Sequence, residues 1–312
     1  MMRSRHYSCF AFIVLLCSCG PKQDETATKG HLRVLVSESV APVFEQEVRK
    51  FLSLYQAHGA DVTYTVVTSR IANDRFVNDS LRCIVTAFPL TVAEKDRIKK
   101  TTDYFVEIVL AYDGVVAVVQ SHNSLKELSL QQIRNILLGK ITRWEQIDRS
   151  ATVHGKIRLV LEDSSDVSTY LSSRLLNGAE IKADFQPTQS SDQTLQGIFS
   201  EPRALGFVAL NWMAKPNAKL KILPLAADSI LADTAFKPPP ESIGNAYSPH
   251  PAHIYLNYYP MKRAVYVYSK TTAGDFATGF TSFLASPEGQ KIFLEEGMVP
   301  GTQKIVLKRP GS

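Results

Sequence analysis

Cysteine and tryptophan are scarce in this chain of 312 residues, which contains four cysteines and two tryptophans. Three of the cysteines, Cys9, Cys17 and Cys19, lie close to the N-terminus, so Cys83 alone remains for the folded part. One cysteine cannot form an intramolecular disulfide, and Cys83 lies in the apolar stretch 81–85, where a small buried side chain is expected. The sequence therefore excludes a disulfide scaffold and argues against a catalytic thiol.

A strong excess of one charge is also missing. Charged residues make up 21% of the chain and the formal net charge is +5. Removing residues 1–18 lowers this charge to +3, because Arg3 and Arg5 are the only charged residues in that segment apart from a histidine. So mild and dispersed a charge does not favour a nucleic-acid partner. An apolar content of 45% is typical of a soluble globular fold.

Apolar runs long enough to span a bilayer are absent as well. The apolar segment near the N-terminus, Phe10–Leu16, is too short to do so. It follows a basic segment and precedes Leu16-Cys17-Ser18-Cys19, which fits the cleavage box of bacterial lipoproteins. We therefore predict a signal peptide over 1–18, a diacylated Cys19 and a polar tether over 19–30. The alternative is an ordinary secretory signal with incidental cysteines. The predicted lipid would anchor the protein to a membrane of the cell envelope, facing the periplasm or the cell exterior.

The motifs of common catalytic sites are missing too. No nucleophile elbow, zinc motif, glycine-rich dinucleotide turn or phosphate loop occurs in the sequence. His250 and His253 are a weak metal candidate, because prolines interrupt the pair and no cysteine is near. We predict neither an enzyme nor a bound cofactor or metal; a hydrolase remains an alternative that no residue pattern requires.

What the sequence does contain is an alternation of strand and helix patterns. The run Val115–Val119 predicts a buried strand, and a helix with readable ends follows it. Ser129 and Gln132 have the spacing of a capping box, and Gly139 stands where a left-handed residue ends a helix. Repeated along the chain, this alternation predicts right-handed βαβ units around a mostly parallel sheet, an α/β fold.

The stretch Leu128–Trp144 resembles the "LT-x-x-Q-(I/L)-x-x-I-(F/L)-x-G-x-I-T-x-W" helix of the phosphate-binding proteins of ABC phosphate importers, within the type II periplasmic-binding-protein family. Four further segments resemble motifs of the same family. They are Pro202–Leu210, Glu241–Tyr247, Tyr259–Arg263 and the C-terminal "SxEGQ…GxxP" pattern over 286–300. The resemblance thus extends over about residues 33–300.

The resemblance implies two α/β lobes, each a mostly parallel sheet flanked by helices, joined by a two-strand hinge. The first lobe would comprise 31–110 and 260–312, and the second 111–259. Ser248–Tyr258 would be an insertion relative to the family, within a stretch, 226–260, that lacks clear periodicity. The family function would be capture of a small anionic solute, phosphate by default, for delivery to an ABC permease.

Ligands of such folds bind at the carboxyl ends of strands and at helix N-termini, where hydroxyls and backbone N–H groups are donors. The candidate ligand-binding residues at these ends are Ser37, Ser39, Ser69, Arg70, Ser164, Ser165 and Ser168. Arg70 would replace a guanidinium that the family supplies elsewhere. A solvated loop arginine is the alternative for Arg70, and simple helix capping is the alternative for 164–168.

The sequence departs from the family at each phosphate motif. The family motifs "GSST", "SR" and "SGT" are replaced in this chain by Val36-Ser37-Glu38-Ser39, Ala87-Phe88 and Ser165-Asp166-Val167, respectively. Leu161 lies near the position of the family arginine. Four carboxylates, those of Glu38, Glu162, Asp163 and Asp166, thus adjoin the expected anion site. Any of them pointing into the cleft would weaken phosphate binding. The alternative function is therefore an interaction or sensor module of the envelope that binds no phosphate.

Overall fold

The structure is a computed structural model that describes residues 25–304 except 103, 216, 229–235 and 273. The signal peptide, the lipidation site Cys19 and most of the tether lie outside the described residues. None of the described helices has both the length and the apolar character needed to cross a bilayer.

The described strands follow the predicted alternation in the first half of the chain. They are β1 Gly30–Ser37, β2 Ala60–Val67, β3 Cys83–Thr86, β4 Phe105–Gln120, β5 Leu128–Ser129, β6 Arg158–Glu162, β7 Phe185–Thr188, β8 Ala204–Ala209, β9 Leu220–Leu223, β10 Leu225–Ala226, β11 Ala246–Tyr247, β12 Lys262–Lys270 and β13 Val299–Pro300. The strands predicted over 105–112 and 115–119 are one continuous strand, β4.

The described helices are mostly short. They are α1 Ala41–Tyr55, α2 Ser69–Asn78, α3 Val92–Lys99, α4 Leu130–Leu137, α5 Asp166–Leu176, α6 Ser191–Ser200, α7 Pro251–Tyr255, α8 Phe276–Ala285 and α9 Pro287–Glu295. The capping box of α4 forms as predicted, with Ser129 accepting from the N–H of Gln132, and Gly139 after it has a φ of +72°. Part of the stretch predicted to be irregular, 226–260, forms β11 and α7.

The main sheet has the strand order β2-β1-β3-β12-β4-β8-β6-β7. We call β2, β1, β3 and β12 the first sheet half, and β8, β6 and β7 the second sheet half. The outer pairings of each half are parallel, whereas β12 and β8 run antiparallel to their neighbours β3 and β4. Residues 105–114 of β4 pair with β12 and 115–120 pair with β8 and β9, so β4 belongs to both halves.

Separate apolar cores cover the two sheet halves. One core consists mainly of buried residues within 115–261, and another of residues within 32–111 and 265–298. Between them, the hydroxyl of Tyr259 donates to the carbonyl of Val115 at 2.8 Å. Gly114 is required here, because a Cβ on it would lie 2.8 Å from the Tyr259 ring. Tyr259, three residues before β12, is therefore packed tightly against β4 where that strand passes between the halves.

Candidate functional site

The ends of β1, α2 and α5 meet between the two sheet halves. β1 ends at Ser37, α2 begins at Ser69 under the cap of Thr68, and α5 begins at Asp166 under the cap of Ser165. Ser69 and Arg70 therefore belong to the first turn of a helix, where the sequence had suggested a loop. The reason is local: the Thr68 hydroxyl accepts from the N–H of Ile71 and caps the helix so that it begins at Ser69.

The carboxylate of Asp166 occupies the centre of this site. It accepts a hydrogen bond from the hydroxyl of Ser37 at 2.6 Å and from the backbone N–H of Ser69 at 2.8 Å. The Ser69 hydroxyl also donates to Asp166 and accepts from the N–H of Ala87 at 2.9 Å. Ser37, Ser69 and Asp166 are almost fully buried. Three donors of the first sheet half thus converge on an oxyanion supplied by the second.

A second carboxylate makes the reverse contact. Glu38, in the loop after β1, accepts from the backbone N–H of Asp166 at 2.6 Å. This N–H is one of the free donors at the N-terminus of α5. We call the hydrogen bonds of the Asp166 carboxylate to Ser37 and Ser69, together with that of the Glu38 carboxylate to the Asp166 N–H, the reciprocal carboxylate contacts. Each sheet half therefore caps a helix of the other with its own anion.

Side chains from the second sheet half hold the loop after β1 in place. The side-chain amide of Asn211 donates to the carbonyl of Ser39 at 2.7 Å, and the indole N–H of Trp212 donates to the carbonyl of Glu38 at 3.3 Å. Trp212 is partly buried: it packs against the apolar core of residues 115–261 and also contacts this loop. Neither contact carries a sequence signal, because the partners are more than 170 residues apart.

Burial raises the pKa values of two carboxyl groups at this site, those of Glu38 and Glu162. Burial, followed by the charge of Asp166, raises the pKa of Glu38 to about 8, against the opposing effect of the Asp166 N–H. One oxygen of Glu38 is buried without a hydrogen-bond partner in the described residues. Burial also raises the pKa of Glu162, although the Ser191 hydroxyl donates to it at 2.8 Å and opposes the shift. The site is thus both rich in donors and crowded with carboxyl groups, two of which hold their protons more tightly than usual.

The other predicted residues lie at the edges of this cluster. Ser39 is buried with its hydroxyl 2.7 Å from that of Ser37. Ser165 and Ser168 form the capping box of α5, the simpler of the two interpretations offered by the sequence. Arg70 and Ser164 are exposed and line, together with Asp166, a cavity of about 690 Å³ at the mouth of the cleft.

The remaining sequence candidates do not join the site. Cys83 is a buried free thiol whose pKa is raised to about 12 by burial. The rings of His250 and His253 lie 5.8 Å apart, and the imidazole of His253 bonds the carbonyl of Ser248 at 2.9 Å. Within the described part of the chain, no group of three or more His, Cys, Asp or Glu side chains is arranged to hold a metal ion.

Comparison with curated proteins finds relatives that span most of the chain. The chain is 23% identical over 292 residues to the protein SphX of Synechococcus elongatus, covering 90% of this chain and 80% of SphX. It is 22% identical over 272 residues to the phosphate-binding protein PstS of Borreliella burgdorferi, covering 84% of this chain and 87% of that relative. The resemblance identified from the sequence motifs is confirmed.

Solved structures show the same fold. The chain matches an ABC-type phosphate transport receptor from Vibrio cholerae with a TM-score of 0.63 and 20% identity, covering 86% of this chain and 99% of that one. It matches a phosphate-binding protein from Stenotrophomonas maltophilia with a TM-score of 0.62 and 12% identity, covering 87% and 91%. The predicted two-lobe α/β fold is confirmed, whereas the residue boundaries of the lobes stay a prediction.

A family model described as "PBP superfamily domain" matches residues 21–288. This match spans far more than half of the chain and includes both sheet halves and the reciprocal carboxylate contacts. The chain therefore belongs to the PBP superfamily.

Proposed function

We propose that this chain is a non-catalytic, lipid-anchored solute-binding protein that takes a small oxyanion, phosphate first, between its two lobes. The proposal depends on one observation: the Ser37 hydroxyl, the Ser69 hydroxyl and the Ser69 N–H all donate to the carboxylate of Asp166. Such a set of donors at a helix N-terminus suits an oxyanion of any source. In this proposal Asp166 stands where an oxyanion ligand would bind.

The proposal includes the setting of the protein. Lipid on Cys19 and the tether over 19–30 would hold the chain at a membrane of the cell envelope, facing the periplasm or the exterior. The lobes would be 31–110 with 260–312, and 111–259. An ABC permease is the proposed partner, because the Vibrio cholerae neighbour is described as an ABC-type phosphate transport receptor.

Solute binding would have to displace the carboxylate of Asp166. A dianion brought into this partly buried site meets the like charge of the Asp166 carboxylate, which costs several kcal/mol at intermediate dielectric constants. The reciprocal carboxylate contacts also stabilise the closed arrangement without a solute, so a solute gains little from closing it. We therefore expect phosphate to bind this chain weakly, at roughly millimolar concentration.

Asp166→Gly tests the proposal. It restores the glycine of the family "SGT" motif and leaves the donors of Ser37 and Ser69 without their internal acceptor. Isothermal titration of refolded protein lacking residues 1–19 should show phosphate binding at least about tenfold tighter than in wild type, a gain of about 1.4 kcal/mol.

Asp163→Gly is the matched control. It removes a negative charge three residues earlier, but Asp163 is exposed and its carboxylate makes no hydrogen bond to the described residues. Its phosphate affinity should stay within about twofold of wild type, because exposed charges are screened. Absence of phosphate binding at millimolar concentration in wild type and in Asp166→Gly would refute an oxyanion function.

A second function is favoured by the same reciprocal carboxylate contacts. Because they satisfy the donors of both lobes internally, the chain could serve as a closed interaction or sensor module of the envelope. Small-angle scattering would then show the same closed shape with and without phosphate. The double variant Asp166→Ala and Glu38→Ala would open it. A wild-type chain that is open without phosphate and closes on its addition would exclude this second function.

A further inference from the structure

A second cavity of about 260 Å³ lies beside the strand β12 and next to the cavity at Asp166, with which it shares Phe88 and Pro89. It is lined by residues of the loop after β3, by one side of α5, by β12 and by Phe236. Arg174 in its wall lies eight residues after Asp166 on the same helix, a distance of about 12 Å along the helix axis. Neither Ser37 nor Ser69 lines this cavity.

Three cationic side chains line this cavity: Arg174, Lys262 and Arg263. One carboxylate, that of Asp113, accepts from Arg263 at 2.8 Å, and both partners of this pair are buried. Arg174 donates to the carbonyl of Pro260 at 2.8 Å, and Lys262 donates to the side-chain oxygen of Asn257 at 2.8 Å. Two of the three cations thus have neutral partners only, among the described residues.

Several donors of these cations are not used at all. Nε and Nη1 of Arg263 and Nε of Arg174 are buried without a hydrogen-bond partner in the described part of the chain. Arg263 is only 3% exposed, so water from the bulk does not solvate it. Burial lowers the pKa of Lys262 to about 8 and also lowers the pKa of Arg174. Buried cations with idle donors are costly, and an anion bound among them would relieve that cost.

The rest of the wall is apolar and aromatic. Phe88, Pro89, Tyr170, Phe236 and Tyr266 line the cavity. The ammonium of Lys262 lies 4.1 Å from the ring centroid of Tyr112 and 4.9 Å from that of Phe236. A cavity of about 150 Å³ is enough to hold benzene. The volume here therefore admits an aromatic ring together with one or two carboxylate groups.

We propose that this cavity binds a small aromatic carboxylate, with its charge among Arg174, Lys262 and Arg263 and its ring against the aromatic wall. The cavity adjoins the serine cluster, since Phe88 and Pro89 also line the cavity beside Asp166, but none of the cluster serines lines it. The proposal therefore holds whether or not phosphate binds at those serines. The surplus of two positive charges favours a dianion over a monoanion of the same size.

Isothermal titration of the refolded chain lacking residues 1–19 with phthalate tests the assignment, with benzamide as the uncharged comparison. Phthalate should bind and benzamide should not. Lys262→Met and Arg174→Met each keep most of the aliphatic stem and remove the charge, so each should weaken phthalate binding at least about tenfold. Lys50→Met, an exposed lysine on α1, should leave it unchanged.

Three outcomes would overturn the proposal. They are no phthalate binding at millimolar concentration in wild type, equal binding in wild type and in both folded variants, or displacement of phthalate by an equal concentration of inorganic phosphate. Circular dichroism and the melting temperature of each variant show whether it is folded. Lys262→Met should leave the affinity for inorganic phosphate unchanged, which separates this site from the oxyanion site of the proposed function.

Discussion

The two ends of α5 differ in how the protein treats charge between its lobes. At the N-terminal end, donors and carboxylates from opposite lobes satisfy each other through the reciprocal carboxylate contacts. Two turns further on, only Arg263 of the three cations has a carboxylate partner, and several donors of Arg174 and Arg263 are unused within the described residues. The contrast teaches that the likeness to phosphate-binding relatives does not by itself locate a ligand. An oxyanion must compete with Asp166 at the first end, but it meets unbalanced cations at the second.

Removing the one anion of the cationic end should have the largest effect. In Asp113→Asn, Arg263 keeps a buried charge without a counter-ion, and we expect a loss of about 3–5 kcal/mol in the free energy of unfolding. Urea denaturation followed by circular dichroism measures it. The control is Asp61→Asn, whose carboxylate pairs with His31 in a pair that is 62% exposed on both sides.

That control should cost less than about 1 kcal/mol, because exposed ion pairs contribute little. If Asp113→Asn lowered the free energy of unfolding no more than Asp61→Asn does, the cations at this end of α5 would not lack counter-charge. The contrast between the two ends of α5 would then be wrong.

The second-largest expected effect is a dependence of stability on pH. It compares Glu38, at the N-terminal end of α5, with Glu47, a buried carboxyl group elsewhere in the fold. Burial raises the pKa of Glu38 to about 8 and that of Glu47, on α1, to about 9, both from the ordinary value of 4.5. The folded chain keeps protons that the unfolded chain releases, so this stability is full below about pH 4.5 and is lost as the pH rises through 8 and 9.

Urea midpoints at about pH 5, 7 and 9 should fall in wild type and fall less in Glu38→Gln and in Glu47→Gln. Asp166→Asn should reduce the Glu38 contribution only, because the charge of Asp166 is the second cause of that shift. A midpoint that rises with pH over this range would contradict the sign of both shifts.

The smallest effect is expected at Arg70. Its side chain is exposed at the cleft mouth and makes no hydrogen bond to the described residues, so it acts on a solute through long-range attraction. In an Asp166→Gly background, Arg70→Ala should weaken phosphate binding about two- to threefold at low salt and less at high salt. A loss of tenfold or more that survives high salt would instead mean direct contact between Arg70 and the solute.

Local features of the fold were predictable from the sequence. The capping box at Ser129 and Gly139 after α4 depend on neighbours within four residues, and the structure has them as predicted. Ser165 caps α5, which the sequence had offered as the alternative to ligand binding. Helix α6 and strand β7, in contrast, had not been assigned. Their segment is mostly polar, and their packing against β6 and β8 comes from the sheet and not from local periodicity.

The candidate site was predictable only in part. The serines at strand ends and the four nearby carboxylates followed from the resemblance and from the sequence. That Asp166 reaches Ser37 across 129 residues, while Asp163 points to solvent, depends on how the lobes approach. The cationic cavity was missed entirely, because Lys262 and Arg174 are 88 positions apart and neither stands in a motif for anions.

The sharing of β4 between both lobes has a mechanical consequence. Its pairing with β12 reaches Gly114, and its pairing with β8 begins at the next residue, Val115. No unpaired segment separates the two ladders, so any swing of one lobe against the other must twist a single hydrogen-bonded ribbon. We therefore expect the hydrogen-bonded ladder of β4 to resist lobe opening and to limit how far the lobes can part, unlike a flexible linker, which would let them rotate freely.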